Sequence, residues 1–206
     1  MSTVFSADGT AIGFDAWGDG PPLIMVDGAT AYRAMSPIAA QVGALLRDDF
    51  RTYAYDRRGR GESGDALPYS VQRETEDVAA LIDEAGGPAF VCGFSSGAVL
   101  ALDAAAAGLP ITRLALFEPP FVVDDSRPPR PADYVERLDA AVAAGRPGDA
   151  VELFMTGAVG MPAEMLAGPL PAVSLQAVEG AQHNVEADVL APALRQFAAA
   201  GQAIRH

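Results

Sequence analysis

The chain has 206 residues, 50% hydrophobic and 20% charged, which fits one soluble globular domain with a sizeable core. Acidic residues outnumber basic ones by 27 to 14, and a net charge of -13 repels phosphate backbones and anionic lipid, which argues against nucleic acid and membrane surfaces as partners; a solvated acidic surface accounts for the charge equally. All 14 basic residues are Arg, which removes Schiff-base lysines, P-loop lysines and S-x-x-K hydrolases from consideration.

Residues 3–5 and 11–17, joined by Ala7-Asp8-Gly9-Thr10, read as an opening hairpin with a D-G turn. Residues 23–26 form a short continuous apolar run, as expected for a strand buried on both faces, and Asp27-Gly28 ends it. A helix over 38–46 follows, then a strand over 51–55 closed by the polar, Gly-rich stretch 56–64. Val71, Val78, Leu81 and Ile82 give residues 71–85 helical spacing. Strand 89–92, helix 98–107 and strand 113–117 continue the alternation, which predicts an α/β fold: a mostly parallel, doubly wound sheet with helices on both faces. Ligands in that architecture bind beyond the carboxyl ends of the strands, where Asp27, Asp56, Ser95 and Glu118 stand.

From Pro119 the composition changes. Residues 124–131 are rich in Pro, Asp and Arg and read as a hinge, followed by helices around 132–144, 149–155 and 162–166. Residues 124–168 therefore read as a helical lid inserted into a single domain spanning 1–206. Gly168-Pro169-Leu170-Pro171 ends it, a strand over 172–178 follows, and a helix over 187–200 closes the fold. The lone Cys92 allows no internal disulfide, and the first residues carry neither a basic start nor an apolar h-region, so a cytoplasmic location is expected. No apolar stretch nears the roughly 20 residues needed to cross a bilayer.

The run Val91-Cys92-Gly93-Phe94-Ser95-Ser96-Gly97 carries the chemistry: an apolar strand enters a helix through G-x-S-x-G. Glycine tolerates the close backbone approach that such a turn needs, and the turn projects the serine hydroxyl from the sheet edge. Ser95 is the nucleophile candidate, against the plainer reading of an ordinary strand-to-helix turn. Of two histidines, His206 ends the chain, which leaves His183 as the candidate base, against the plainer reading of a surface-loop histidine. No His, Cys and Asp group has metal-ligand spacing, so neither metal nor cofactor is expected.

Asp27-Gly28-Ala29, then Tyr55-Asp56-Arg57-Arg58-Gly59-Arg60-Gly61-Glu62-Ser63, then Gly93 to Gly97, then Glu179-Gly180-Ala181-Gln182-His183 occur in the order of the α/β-hydrolase fold family, which the chain resembles over nearly its whole length. The D-R-R-G-x-G-x-S segment is similar to that of small bacterial esterases and cofactor-free haloperoxidase-like members. The resemblance implies that Ser95 attacks an acyl carbon, that His183 takes its proton, and that an acid orients His183. It also implies an oxyanion hole made by the N–H groups of Ala29 and Ser96. Asp27 stands where many relatives carry His; it is expected to stabilise the turn through nearby amides or to touch substrate, lining the pocket with Phe94. Residues 56–63 are expected to be structural, with Arg57 and Arg58 paired to nearby acids, and Cys92 to be buried.

The sequence departs from the family in one respect. Such hydrolases carry a further strand, ending in the catalytic Asp, and its helix between the lid and the histidine strand, a unit of about 30 residues, and residues 119–171 contain no such strand. The last strand then pairs directly with strand 113–117 or leaves a gap that a neighbouring chain fills, which makes a homodimer one option. Glu118 is the acid candidate, because some of the similar haloalkane dehalogenases carry their acid at this strand. Its rivals are Asp124 and Asp125 at the hinge, whereas Glu186 and Asp188 are expected to cap the following helix. Serine at position 95 excludes the dehalogenase and epoxide hydrolase chemistries, which use Asp there. The expected activity is hydrolysis of a small apolar carboxylic ester; the alternatives are a weak or silent ligand-binding relative and a shortened form of a longer hydrolase.

Overall fold

A computed structural model describes residues 2–125, 129–161 and 187–200. His183, the 162–166 helix, the 172–178 strand, Glu179 to Gln182, Glu186 and His206 lie outside the described residues. The chain divides into one compact unit made of Met1–Pro120 with Ala177–His206, and a second made of Phe121–Gln176.

In the first unit, β1 (Ser2–Phe5), β2 (Ala11–Trp17), β3 (Pro22–Val26), β4 (Arg51–Tyr55), β5 (Ala89–Phe94) and β6 (Ile111–Phe117) form one sheet in the order β1-β2-β4-β3-β5-β6. The hairpin turn closes as its D-G pair predicts: Gly9 has φ 83° and the Asp8 carboxylate accepts the Thr10 N–H at 2.9 Å. β1–β2 and β2–β4 are antiparallel, and the other pairings are parallel. The helices of this unit are α1 (Ile38–Leu45), α2 (Val71–Glu84), α3 (Ser96–Ala106) and a C-terminal helix, Ala187–Ala200.

The continuous apolar runs of β3 and β5 serve two cores at once, because successive side chains on a strand point to opposite faces. Ile24, Val26 and Val91 join Tyr53 and Tyr55 against Val78, Leu81 and Ile82 of α2 and Leu100, Ala101 and Ala104 of α3. Leu23, Met25, Phe90 and Cys92 face the other way, onto Ala39 and Val42 of α1 and Leu190, Ala191 and Leu194 of the C-terminal helix. The mostly parallel, two-sided sheet expected from the sequence is thus present. The boundaries around the serine differ from expectation: β5 runs on to Phe94 and α3 starts at Ser96, since the chain turns at Ser95 alone and Gly97 already lies in the first helical turn.

The second unit contains α4 (Tyr134–Ala143) and α5 (Pro147–Phe154), followed by a π-helical turn, Met155–Val159. Pro147 at the first helical position suits the start of α5, where its missing N–H costs nothing. The Tyr134 ring packs where a Cβ at Gly157 would lie 2.7 Å from its Cε2, so glycine makes room for it. Numbered in chain order, the C-terminal helix of the first unit is α6. Among the described residues no helix is long and apolar enough to cross a membrane.

Candidate active site

The serine turn is built by close packing. A Cβ at Gly93 would lie 2.6 Å from Ala98 Cα, and one at Gly97 would overlap the carbonyl oxygens of Val26 and Asp27. Both flanking glycines are therefore required for α3 to start hard against β5 and the end of β3. Ser95, between them, is held at φ 50° and ψ −119°, a conformation that strains any residue with a Cβ. Its N–H donates to the Phe117 carbonyl at 2.9 Å, so the turn is tied to the end of β6. Glu118 follows Phe117 directly and has φ 45°; Thr30, just past the end of β3, has φ 66°.

Gly28 brings the loop after β3 to the serine: a Cβ there would lie 3.3 Å from Ser95 Cβ and 3.9 Å from its Oγ. Neither the Ala29 N–H nor the Ser96 N–H donates to an acceptor among the described residues. Phe94 is half-buried with its ring centroid 5.7 Å from that of Phe117. Cys92 is buried, and burial pushes its thiol up to about 12, so it stays a neutral thiol near pH 7.

Asp27 corrects an expectation. Its side chain is buried, yet among the described residues no amide hydrogen-bonds to its carboxylate, so it does not stabilise the turn in the expected way. Burial raises it from 3.8 to about 6; Arg60 and Arg57 pull the other way and Asp56 adds to the rise. Asp56 does the turn-building instead. It accepts from the Arg33 N–H at 2.7 Å, the Arg33 guanidinium at 3.1 Å and the Glu62 N–H at 2.9 Å. Burial acts to raise Asp56, but the hydrogen bonds from Arg33 and Glu62 outweigh it and hold the carboxyl below the usual range.

Arg57 and Arg58 of the 56–63 loop pair with acids as expected. Arg57 makes a two-pronged bond to Glu74 at 2.6 and 2.7 Å, and Arg58 makes one to Asp77 at 2.8 and 2.6 Å, all four side chains being buried. Sequence reasoning missed their further reach. Arg57 also donates to the Asp27 carbonyl at 3.3 Å and to Ser96 Oγ at 3.1 Å, and Arg60 donates to the Gly28 carbonyl at 2.8 Å. Only the R-R-G-R spacing hinted at these contacts, which link residues some 30 or more positions apart.

Among the described residues, no group of three or more His, Cys, Asp and Glu is arranged to hold a metal ion. Ser95, Ser96, Asp27, Ala29, Phe94 and Glu118 all lie at or just beyond the carboxyl ends of β3, β5 and β6. His183 lies outside the described residues.

The model of the alpha/beta hydrolase family matches residues 15–204. Among solved structures, an alpha/beta hydrolase from Sphaerobacter thermophilus is 57% identical over 82% of this chain, with a TM-score of 0.73. The bottromycin epimerase BotH is 29% identical over 81% of the chain, with a TM-score of 0.58. The esterase EaEST from Exiguobacterium antarcticum is 25% identical over 69%, with a TM-score of 0.55. The chain spans less than two thirds of the length of these relatives: 66%, 65% and 55% respectively. No curated protein sequence matches it.

Proposed function

Because the chain belongs to the alpha/beta hydrolase family, we propose that it is a cofactor-free serine hydrolase of small apolar carboxylic esters. Ser95 is the nucleophile, His183 the general base, and Glu118 the acid that fixes the His183 tautomer. The N–H groups of Ala29 and Ser96 receive the charge that develops on the carbonyl oxygen. Asp27 and Phe94 line the acyl pocket.

The observation that carries the reading is Ser95 itself, held at φ 50° beside Gly28, with the Ser96 and Ala29 N–H groups unclaimed among the described residues. Nothing in the packing of a plain strand-to-helix turn calls for that strain. Support for Glu118 comes from the 2.9 Å bond between Ser95 N–H and the preceding residue's carbonyl, which places the Glu118 peptide at the serine turn. A second reading, a ligand-binding relative or a shortened hydrolase, is favoured by the sequence of residues 119–171, which carries no β-branched run closed by Asp and Gly.

A fluorophosphonate probe followed by peptide mapping separates the two. Labelling at Ser95, lost in Ser95→Ala together with turnover of p-nitrophenyl butyrate, supports the hydrolase. An unlabelled parent chain without esterase activity overturns it.

A further inference from the structure

Arg60 stands apart from the other buried or half-buried arginines of the site. Arg33, Arg57 and Arg58 each pair with carboxylates, whereas among the described residues the Arg60 side chain makes no ion pair and its one hydrogen bond goes to the Gly28 carbonyl at 2.8 Å. Burial, with Arg57 nearby, holds its guanidinium below the ordinary value, so the fold places a cation there at a cost.

The bonded carbonyl belongs to the peptide that also contains the Ala29 N–H. In a trans peptide the C=O and N–H lie in one plane and point in opposite directions. Fixing the Gly28 oxygen with a charged donor therefore fixes the Ala29 N–H on the other side. It also makes that N–H a stronger donor, because hydrogen bonds polarise one another along a chain. The neighbouring peptide is held in the same manner, since Arg57 donates to the Asp27 carbonyl and to Ser96 Oγ while gripped by Glu74, whose carboxylate also accepts the Tyr69 hydroxyl at 2.8 Å. Consecutive carbonyls of the loop after β3 are thus held from behind by two arginines of one turn.

We propose that Arg60 is a positioning residue that sets and strengthens the Ala29 N–H as an oxyanion donor, with Arg57 fixing the adjoining peptide and the start of α3. The inference rests on the hydrolase reading above. Its consequence is felt in the transition state rather than in ester binding, because the negative charge appears on the carbonyl oxygen only there.

The test compares Arg60→Met, which has similar reach and no donor, with Arg60→Lys, which restores a charged donor. Loss of one oxyanion donor costs roughly 10²–10³ in rate, so a loosened one is expected to lower kcat about tenfold to a hundredfold in Arg60→Met. KM for p-nitrophenyl butyrate stays within about twofold, affinity for a boronic acid transition-state analogue falls in parallel with kcat/KM, and Arg60→Lys recovers most of the loss. Tm remains close to that of the parent. An active parent whose Arg60→Met variant keeps its kcat and boronate affinity overturns this inference alone, as does an equal loss in both variants that tracks a fall in Tm. A parent without Ser95-dependent turnover sinks the hydrolase reading, and this inference with it.

Discussion

Asp27→Asn isolates the one buried carboxyl at the sheet's active edge that no amide supports among the described residues. In the folded chain Asp27 titrates at about 6 against an ordinary value of 3.8, with burial as the main cause. A raised folded value means that the native state holds the proton more tightly than the unfolded chain, so this group's contribution is most favourable below about pH 4 and is lost as the pH climbs through about 6. The gap of roughly two pH units, at about 1.4 kcal/mol each, makes the ionised carboxylate cost about 3 kcal/mol at pH 8. At pH 5 about half of that cost is already present. Asn has the same shape and never ionises, so Asp27→Asn is expected to be more stable than the parent by an amount that grows by about 1.4 kcal/mol from pH 5 to pH 8. For a chain of this size that is about 3–6 °C in Tm. Urea unfolding followed by circular dichroism at both pH values measures it, the lower value staying above the sequence pI of 4.4. Comparing two pH values cancels any fixed effect of the substitution. A difference that is flat, or that shrinks as the pH rises, refutes the assignment of Asp27 as a buried, ionisation-penalised carboxyl.

Four further outcomes follow from the same geometry. Glycine normally costs a fold up to about 1 kcal/mol relative to alanine, but at position 95 the order should reverse, with Ser95→Gly more stable than Ser95→Ala by about 1 kcal/mol in urea titrations, because φ 50° suits only glycine. Arg58→Met leaves Asp77 buried without its cation and should cost about 3–5 kcal/mol, most of which Arg58→Met combined with Asp77→Leu recovers; equal losses in the single and double variants would show that the pair is not what matters. The Tyr55 hydroxyl is buried without a hydrogen-bond partner among the described residues, so Tyr55→Phe should be neutral or gain up to about 1 kcal/mol, and a loss above about 1 kcal/mol would contradict this. Glu118→Gln should lower kcat far more than Asp124→Asn or Asp125→Asn while leaving Tm near the parent value; full activity in Glu118→Gln removes it from the triad.

What the sequence revealed of the fold follows from how local each signal is. The apolar runs 23–26 and 89–92 announced two-sided strands because burial on both faces leaves no polar positions to alternate, and the two cores confirm it. The bounds of β2, β4 and α6 were legible because turn residues flank each of them. The start of α3 was harder: Ser96 and Gly97 look like loop residues, and only their packing against Val26 and Asp27 makes them helix. The site divides similarly. Ser95 was legible from its glycines, whereas the contacts of Arg57 and Arg60 with carbonyls after β3 depend on a loop and a strand end meeting in space. The expectation that Asp27 bonds nearby amides failed because turn propensity describes side chains free to bond their own backbone, and here the side chain is buried with no amide on its carboxylate among the described residues.

Strain and bracing belong to one design at the sheet edge. The described chain has three residues other than glycine with positive φ, Thr30, Ser95 and Glu118, and each stands at or just past the carboxyl end of β3, β5 or β6. Such conformations cost of order 1–3 kcal/mol each and persist only where the surroundings over-determine them. The surroundings here do so. Ser95 is fixed by its bond to Phe117 and by glycines that admit no movement of α3, and the loop leading to Thr30 is held by Arg57 and Arg60 on its carbonyls and by Asp56 on the Arg33 N–H. A strained turn without such bracing relaxes, and on the proposed hydrolase reading the serine would then rotate away from the N–H groups assigned to the oxyanion hole. The ion pairs of Arg57 with Glu74 and of Arg58 with Asp77 thus act beyond the stability of α2, because they anchor the loop from which the bracing is applied. On the hydrolase reading, breaking either pair should therefore lower kcat as well as Tm, whereas Arg60→Met should lower kcat with Tm near the parent value.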